Sequence, residues 1–278
     1  VVTQQTVSIL FSAYNPDGGL LDAIDNVRIM AFLIPDPTNA DIQYSEALAV
    51  TLDTVNPTDA LVTTFTPPSE GDYIWMANGF LIEGPGNAST GGLYAEDETG
   101  TDQQNSEEDW ISRWRGFAPF VHFERRQNLS GEKSFTIRHQ PSTAAGGSDR
   151  TGLAQLLFRT EVFDAVEVAS STDVTDATTS YETKNSLTTA SVASAHDYVY
   201  LAVMGLYETT QNRAYSSFGE IRLGGTQQLE DEVAFDRANY DRQIGWAWAE
   251  NCTGNRTIDS RLKEESGQSA HARYAHIL

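Results

Sequence analysis

The 278-residue chain contains 39 acidic and only 18 basic residues, which gives it a formal net charge of −21 at pH 7. This charge argues against general nucleic-acid binding, because neutralising phosphates requires clustered lysine and arginine side chains. A single cysteine, Cys252, excludes an internal disulfide framework. No stretch reaches 18 uninterrupted apolar residues, so the sequence predicts no membrane span, and its first residues show no signal-peptide pattern.

Lysine occurs only at positions 133, 184 and 263. An acidic, lysine-poor surface is typical of proteins from salty environments, and a coding bias produces the same composition. High like charge also keeps a protein soluble at high local concentration.

Apolar residues at every second position, in short runs bounded by Gly, Asn, Asp and Pro, predict β-strands along most of the chain. In the first half these runs are Thr6–Tyr14, Val27–Ile34, Gln43–Leu52, Ala60–Phe65, Asp72–Ile82, Phe117–Glu124, Ser134–His139 and Leu153–Phe163. In the second half they are Asp164–Ser170, Thr178–Glu182, Ser186–Val192, Asp197–Tyr207, Ser217–Leu223, Gly245–Glu250, Thr257–Leu262 and Ala270–Leu278. Two hydrophilic stretches, Ala95–Asp109 and Gln227–Arg242, predict short helices or mobile loops.

The second half of the chain repeats features of the first. Gly71–Ala77 resembles His196–Ala202, which lies 125 positions later, and Asn128–Gly131 resembles Asn251–Gly254 at an offset of 123. A period of this size matches a whole domain rather than a solenoid repeat. We therefore expect a tandem duplication.

The offset of 125 aligns Val121 with Trp246 and Phe123 with Trp248. Large apolar residues at matching places predict the same core-facing side of the same strand in both copies. Trp75, Trp246 and Trp248 alternate with small or polar residues and are predicted to lie in the core.

About eight strands per half predict an all-β fold of two tandem antiparallel β-sandwich domains of jelly-roll type. The predicted domains are residues 1–159 and 160–278, with the boundary near Phe158–Val162. Because the linker is short, we expect the two copies to pack against each other.

The strand openings Gly71-Asp72-Tyr73 and His196-Asp197-Tyr198 resemble the step before a long core strand in many phage structural modules and in C1q/TNF-like trimers. The closing strands Leu153–Arg159 and Ala272–Leu278 resemble the final strand of the same modules. The resemblance is to jelly-roll and related β-sandwich proteins of tailed viruses, of the capsid-decoration, spike or tail-associated type. It implies an oligomeric component of a virion, and it carries over no catalytic residues.

The sequence contains no motif that predicts an enzyme. The five histidines lack metal-binding spacing, no nucleophile elbow or phosphate-binding loop occurs, and the expectation is no catalytic, cofactor-binding or metal residue. We expect the histidines to face solvent or to make local hydrogen bonds. The best metal candidate is the acidic loop Glu96–Asp102, whose oxygen ligands around a glycine suit Ca²⁺.

Two tryptophans and two arginines follow the first acidic loop, namely Trp110, Arg113, Trp114 and Arg115. Tryptophan and arginine are enriched at protein interfaces, which favours a subunit contact. The alternative is sugar binding, since indole faces stack on pyranose rings while nearby carboxylates accept hydroxyl hydrogen bonds.

Four sequons allow glycosylation in a suitable host, at Asn87, Asn128, Asn251 and Asn255. For the paired Asn128 and Asn251 we favour a simpler role, as turn residues that tolerate unusual backbone angles.

The sequence favours a non-enzymatic virion structural protein that forms a homotrimer or another symmetric oligomer and binds other virion proteins. Residues Val1–Ala13 are apolar enough to pair with a neighbour as an anchoring strand. The alternative is an extracellular carbohydrate-binding protein that recognises host-surface glycans. A glycosidase would need two carboxylates about 5–10 Å apart across a cleft.

Overall fold

The computed structural model describes residues 41–52, 56–82, 91–103, 117–141, 149–163, 166, 168–191, 193–208, 216–234, 240–264 and 270–278. The chain divides into two compact units, residues 1–31 and residues 32–278. All strands given below belong to the second unit. The predicted strands Thr6–Tyr14 and Val27–Ile34 and the anchoring segment Val1–Ala13 lie outside the described residues. The described regular structure is β-strand apart from one 3₁₀ turn at Thr160–Val162, which confirms the predicted all-β class.

The described residues form sixteen strands. In the first half they are β1 (Ile42–Leu52), β2 (Thr58–Phe65), β3 (Gly71–Ile82), β4 (Gly91–Glu96), β5 (Asp102–Gln103), β6 (Phe117–Leu129), β7 (Lys133–Pro141) and β8 (Asp149–Arg159). In the second half they are β9 (Ala169–Asp176), β10 (Glu182–Thr188), β11 (His196–Glu208), β12 (Ser216–Leu223), β13 (Thr226–Ala234), β14 (Tyr240–Cys252), β15 (Thr257–Glu264) and β16 (Ala270–Ile277).

The strands pair in four antiparallel sheets. Sheet 1 has the order β1-β8-β3-β6, sheet 2 the order β2-β7-β4-β5, sheet 3 the order β9-β16-β11-β14 and sheet 4 the order β10-β15-β12-β13. Numbered within each half, both halves read 1-8-3-6 and 2-7-4-5, which is the jelly-roll order. Among the described residues, no strand that ends at or before Arg159 pairs with a strand that begins at or after Ala169. Common descent by duplication, and independent folding of each half as a domain, stay predictions.

The core of the first half lies between sheets 1 and 2. Its largest buried side chain, Trp75 on β3, packs against Phe135 on β7 with ring centroids 4.9 Å apart. Gln155 on β8 accepts a hydrogen bond from the Trp75 indole at 2.9 Å and donates to the carbonyls of Leu61 and Phe135 at 3.1 and 3.3 Å. This buried amide therefore ties sheet 1 to sheet 2 and satisfies the indole N–H.

The second half has a similar tie in its core. Tyr200 and Ile258 belong to the buried cluster between sheets 3 and 4. Asn185 on β10 donates to the carbonyls of Ala169 and Ala275, in sheet 3, at 3.0 and 2.8 Å. In each half, then, one amide side chain on one sheet bonds backbone carbonyls of the other.

Two sequence-based expectations about strands are wrong. Much of the hydrophilic stretch Gln227–Arg242 belongs to β13, which pairs with β12 at the edge of sheet 4, where polar side chains remain in contact with water. The predicted strand Thr178–Glu182 is a turn instead. Asp176 accepts hydrogen bonds from the backbone N–H and the hydroxyl of Thr178 at 2.8 and 2.7 Å, which ends β9.

The predicted alignment of Val121 and Phe123 with the tryptophans of β14 is also wrong. The cross-strand partner of Ala77 is His122, whereas the partner of the matching Ala202 is Trp246. An irregularity between Gly71 and Tyr73 shifts the first register, so His122 corresponds to Trp246 and Glu124 to Trp248. A slip of one residue moves every side chain of a strand to the opposite face.

Gly79 lies where β3 closely approaches Gly152 and Leu153 of β8. A Cβ atom there would overlap the Gly152 carbonyl oxygen and lie 2.6 Å from Leu153 Cδ2. We expect Gly79→Ala to lower the free energy of unfolding by about 1–3 kcal/mol, because the backbone of β8 must shift. Urea unfolding measures the loss, with Asn78→Ala at the exposed neighbouring position as control. Equal stability of the two variants would contradict the close approach.

Candidate functional site

The two jelly rolls meet where β6 contacts all four strands of sheet 3. Val121 and Phe123 of β6 form a buried cluster with Val203 of β11. Four partly buried side chains pack around this cluster: Met76, Val168, Leu201 and Leu278. We call this contact, together with His122 and His276, the junction. It explains why Val121 and Phe123 are large and apolar although they point away from the core of their own sandwich.

Two buried histidines meet at the junction, one from each half. His122 on β6 is 1% exposed and His276 on β16 is 0% exposed. Their ring centroids are 5.7 Å apart with the planes nearly perpendicular, and Trp75 packs against the other side of His122 at 4.8 Å. A continuous row of rings thus connects the core of the first half to sheet 3.

The His276 ring is held in its neutral form. Burial, reinforced by the nearby His122, lowers the pKa of His276 well below its ordinary value of 6.5, and a hydrogen bond with the Val121 backbone opposes this only in part. Below pH 6.5 the unfolded chain therefore binds a proton that the folded chain does not.

A chain of charged groups leads from the junction to the acidic loop. His122 Nε2 lies 3.3 Å from Glu124 Oε2, and Glu124 lies 2.7 Å from Arg126, which also binds Glu98 at 2.8 Å. Burial alone would raise the pKa of Glu124, but its bonds with His122 and Arg126 outweigh burial and lower it. For Arg126 burial opposes the charged form, and the bonds to Glu98 and Glu124 nonetheless raise its pKa.

In the acidic loop Glu96–Asp102, the calcium candidate, the carboxylate of Asp97 is engaged by neighbouring residues of the protein. Asp97 is buried, and its Oδ1 accepts hydrogen bonds from the Thr99 N–H and hydroxyl and from the Thr101 N–H, at 2.8, 2.6 and 3.2 Å. Its Oδ2 lies 3.0 Å from the Arg126 guanidinium. The described part of the chain contains no group of three or more His, Cys, Asp or Glu side chains placed to hold a metal. The calcium hypothesis stays a prediction.

A second feature is the tryptophan edge, formed by Trp246 and Trp248 on β14, the outermost strand of sheet 3. Their indoles are parallel within 8°, with centroids 6.2 Å apart. Trp246 is 4% exposed, but Trp248 is 42% exposed, so its predicted core position is wrong. Both lie on an edge strand, since among the described residues none pairs with the outer side of β14, but only Trp246 belongs to the buried cluster between sheets 3 and 4.

Polar groups adjoin the tryptophan edge. Tyr200 is the cross-strand partner of Trp248, and its hydroxyl donates to Glu250 at 3.1 Å. Glu250 also accepts a hydrogen bond from Arg256 Nε at 2.9 Å. An exposed indole thus lies on the same face of sheet 3 as a carboxylate that a guanidinium partly neutralises.

The residues predicted from sequence as a site fall into two groups. Trp110, Arg113, Trp114, Arg115 and the sequon residue Asn87 lie outside the described residues. The other three sequon asparagines, Asn128, Asn251 and Asn255, are described and exposed. Their glycosylation stays a prediction.

The unusual backbone angle predicted for the paired asparagines occurs at one of them. Asn128 has a φ of 57° near the end of β6, and its backbone N–H donates to Asp72 at 3.0 Å. For Asn251 the prediction is wrong, because it lies in β14 and donates through its side chain to Asp197 at 2.7 Å. The left-handed residue of that turn is Gly254.

Sequence reasoning missed both features of the site. His122 and His276 belong to different halves, and no local spacing marks them as neighbours. Both are buried, so neither faces solvent, and His122 makes the local hydrogen bond, with Glu124, that was the other expectation. The exposure of Trp248 follows from the order of strands in sheet 3, which a hydrophobic pattern does not report.

No known protein-family model and no curated protein matches the chain. Three solved structures are similar at low level: PNGF-II (TM-score 0.34, 9% identity), the insecticidal delta-endotoxin Cry8Ea1 from Bacillus thuringiensis (0.26, 5%) and the tandem CBM22 domains of Paenibacillus barcinonensis Xyn10C (0.22, 9%). The alignments cover 85%, 75% and 85% of this chain and 65%, 53% and 90% of those structures. The chain thus spans about two thirds of PNGF-II and about half of Cry8Ea1. Among the described residues, no helix is both long enough and apolar enough to cross a membrane.

Proposed function

We propose that this chain is a virion structural protein, of the capsid-decoration, spike or tail-associated type, that acts by assembling with copies of itself and with other virion proteins. The junction carries the proposal. There the edge of one jelly roll packs on the sheet face of another and buries Val121, Phe123 and Val203. A contact of this kind inside one chain supports the same kind of contact between chains, and jelly rolls are common in viral capsids. We expect no catalytic activity.

The charge of the chain sets the conditions for assembly. With a net charge of −21, copies repel one another at low ionic strength. Salt at about 1 M shortens the Debye length to about 3 Å, so that only charges in direct contact still interact. Assembly is therefore expected to strengthen as salt rises.

Multi-angle light scattering on the purified protein tests this function. At about 1 M NaCl and high protein concentration we expect a defined oligomer, with the trimer favoured, of three times the 30.5 kDa chain mass. At about 0.1 M NaCl the mass should fall toward that of the single chain. A mass of 30.5 kDa at every salt and protein concentration would overturn the proposal.

An extracellular carbohydrate-binding protein is the second candidate, and the tryptophan edge favours it. Exposed Trp248, stacked on Trp246 and close to Glu250, offers an indole face and a hydrogen-bond acceptor, which suit a pyranose ring. A polysaccharide pull-down that is lost in Trp248→Ala, or in Trp110→Ala or Trp114→Ala, would support this candidate. Retention of binding in all three variants, or no binding by the unmodified chain, would count against it.

A further inference from the structure

One corner of the second half brings a lysine and a carboxylate together in a buried position. Asp176 is the last residue of β9, at the edge of sheet 3, and Lys184 lies on β10, at the edge of sheet 4. Lys184 Nζ lies 3.1 Å from Asp176 Oδ2, and the two side chains are 15% and 1% exposed. Lysine occurs at only three positions of this acidic chain. One of them thus places its amine on a carboxylate that is shielded from water.

The backbone of β10 explains this position of Lys184. The residues on either side of it, Thr183 and Asn185, pair with consecutive residues of β15, so Lys184 is the extra residue of a β-bulge. A bulge re-aims the side chain that it carries. Here the bulge lets the amine reach the end of β9.

The two oxygens of Asp176 have different surroundings. Oδ1 accepts hydrogen bonds from the backbone N–H and the hydroxyl of Thr178, at 2.8 and 2.7 Å. Oδ2 is buried and accepts no hydrogen bond of good geometry from the described residues, although Lys184 Nζ is close to it. Two donors on Oδ1 polarise the carboxyl carbon and stabilise negative charge that develops on that oxygen, as in an oxyanion hole. Oδ2, beside the amine, is therefore the oxygen placed to leave.

A second carboxylate contacts the amine. Glu182 Oε2 accepts a hydrogen bond from Lys184 Nζ at 3.0 Å, and the Glu182 side chain is 53% exposed. Burial alone would lower the pKa of Lys184, but the carboxylates of Glu182 and Asp176 outweigh burial and raise it. The resting pair is therefore ionic, and Glu182 is placed to take a proton from the ammonium and to pass it on.

We propose that Lys184 and Asp176 condense to an intramolecular amide, with Glu182 as the proton relay. Nζ forms a bond to Cγ of Asp176, and the bond between Cγ and Oδ2 breaks. The ammonium gives up two protons, one directly to Oδ2 and one through Glu182, and Oδ2 leaves with them as water. Oδ1 becomes the amide oxygen and keeps its bonds to Thr178. One neutral amide replaces two opposite charges, and Glu182 returns to its ionised form.

Proximity and burial favour this condensation, which is unfavourable between separate molecules in water. Groups held in contact react with effective concentrations that reach about 10⁵–10⁸ M. A buried ion pair has also lost hydration that its mutual attraction restores only in part, and a neutral amide avoids most of this cost. The product joins sheet 3 to sheet 4 by a covalent bond, beside the hydrogen-bonded tie of Asn185. It goes beyond the proposed function and does not depend on it.

The mass of the purified 278-residue chain, measured under denaturing conditions after incubation of the folded protein, tests the bond. The parent chain should be lighter than its sequence by one water molecule, and trypsin should not cleave after Lys184, because that protease requires the unmodified amine. Lys184→Arg keeps the ion pair but should have the full mass. Asp176→Asn, which condenses with loss of ammonia in place of water, should be lighter by one ammonia molecule.

Two further variants separate the condensation from an ordinary ion pair. Glu182→Gln should slow formation of the bond at least tenfold, since general acid–base catalysis contributes about 10²–10⁴-fold. Lys263→Arg is the matched control and should still lose water, because Lys263 faces a carboxylate, Glu230, that is 3.6 Å away and 37% exposed.

Two outcomes would overturn the proposal. A full mass for the parent chain after incubation would leave Lys184 and Asp176 as an ion pair only. A loss of water that persists in Lys184→Arg would come from a reaction that does not involve this amine.

Discussion

Replacing Gln155 with leucine is expected to lower the free energy of unfolding by roughly 3 kcal/mol or more. The side chain of Gln155 is fully buried, and it satisfies the Trp75 indole N–H and the carbonyls of Leu61 and Phe135. Leucine has a similar size, so the loss comes from the Trp75 indole N–H, left buried without this acceptor at a cost of about 1–3 kcal/mol, and from the two hydrogen bonds to the Leu61 and Phe135 carbonyls, about 1 kcal/mol each. Urea unfolding followed by tryptophan fluorescence measures the effect.

The control for this prediction is Gln227→Leu. Gln227 is exposed and donates one hydrogen bond to Glu230 at 2.8 Å, so its replacement should change stability by less than about 0.5 kcal/mol. If the two substitutions had equal effects, Gln155 would not be the tie between sheets 1 and 2 that its geometry indicates.

Acidification below pH 6.5 is expected to destabilise the protein through His276. The folded chain holds this imidazole neutral because burial and His122 lower its pKa well below 6.5, whereas the unfolded chain binds the proton near that value. The stabilising contribution is therefore complete above pH 6.5 and is lost progressively as the pH falls toward the folded pKa. One such group changes the free energy of unfolding by at most about 1.4 kcal/mol per pH unit.

The neighbours of His276 determine which part of the structure loses stability first at low pH. His122 faces it from β6, Glu124 hydrogen-bonds to His122, and Arg126 binds Glu124 on the side away from the junction. Protonation of His276 would place a positive charge in the buried contact between the halves, so this contact should weaken first. Thermal unfolding should then separate into two transitions at low pH.

The variant that isolates this effect is His276→Gln, which removes the titrating ring and keeps a polar side chain. The difference in unfolding free energy between the parent chain and this variant should depend on pH below 6.5, where the unfolded chain binds a proton that the folded chain does not. His196→Gln, at a partly exposed position, serves as control. If this difference did not depend on pH, the titration of His276 would make no contribution to the stability of the junction.

Strands with a clear apolar pattern were predictable from sequence, including the edge strands β1, β2, β6 and β14, whereas the polar edge strand β13 was not. β3 and β11 were found because they are rich in apolar residues, of which Tyr73, Trp75 and Tyr200 fill the cores. β13 was missed because its side chains are mostly polar at the edge of sheet 4. Its strand conformation comes from hydrogen bonding to β12, which a hydrophobic pattern does not record.

The candidate site was less predictable than the fold. Trp246 was expected in a core, and it is buried there, whereas Trp248, two residues further along the same edge strand, is 42% exposed. The alignment of the halves failed by one residue on β6 because a single irregularity in the β3–β6 register reverses which side chains face the core.

The sequence by itself determined the all-β class, the acidic surface and the repeated strand pattern, since period-two burial and composition are local properties of the chain. The tertiary structure alone decided that His122 meets His276, that Val121 and Phe123 cover sheet 3, and that Trp248 stays exposed. These outcomes depend on strand order and on the contact between the halves, which join residues far apart in the sequence. No local pattern encodes which edge another sheet covers.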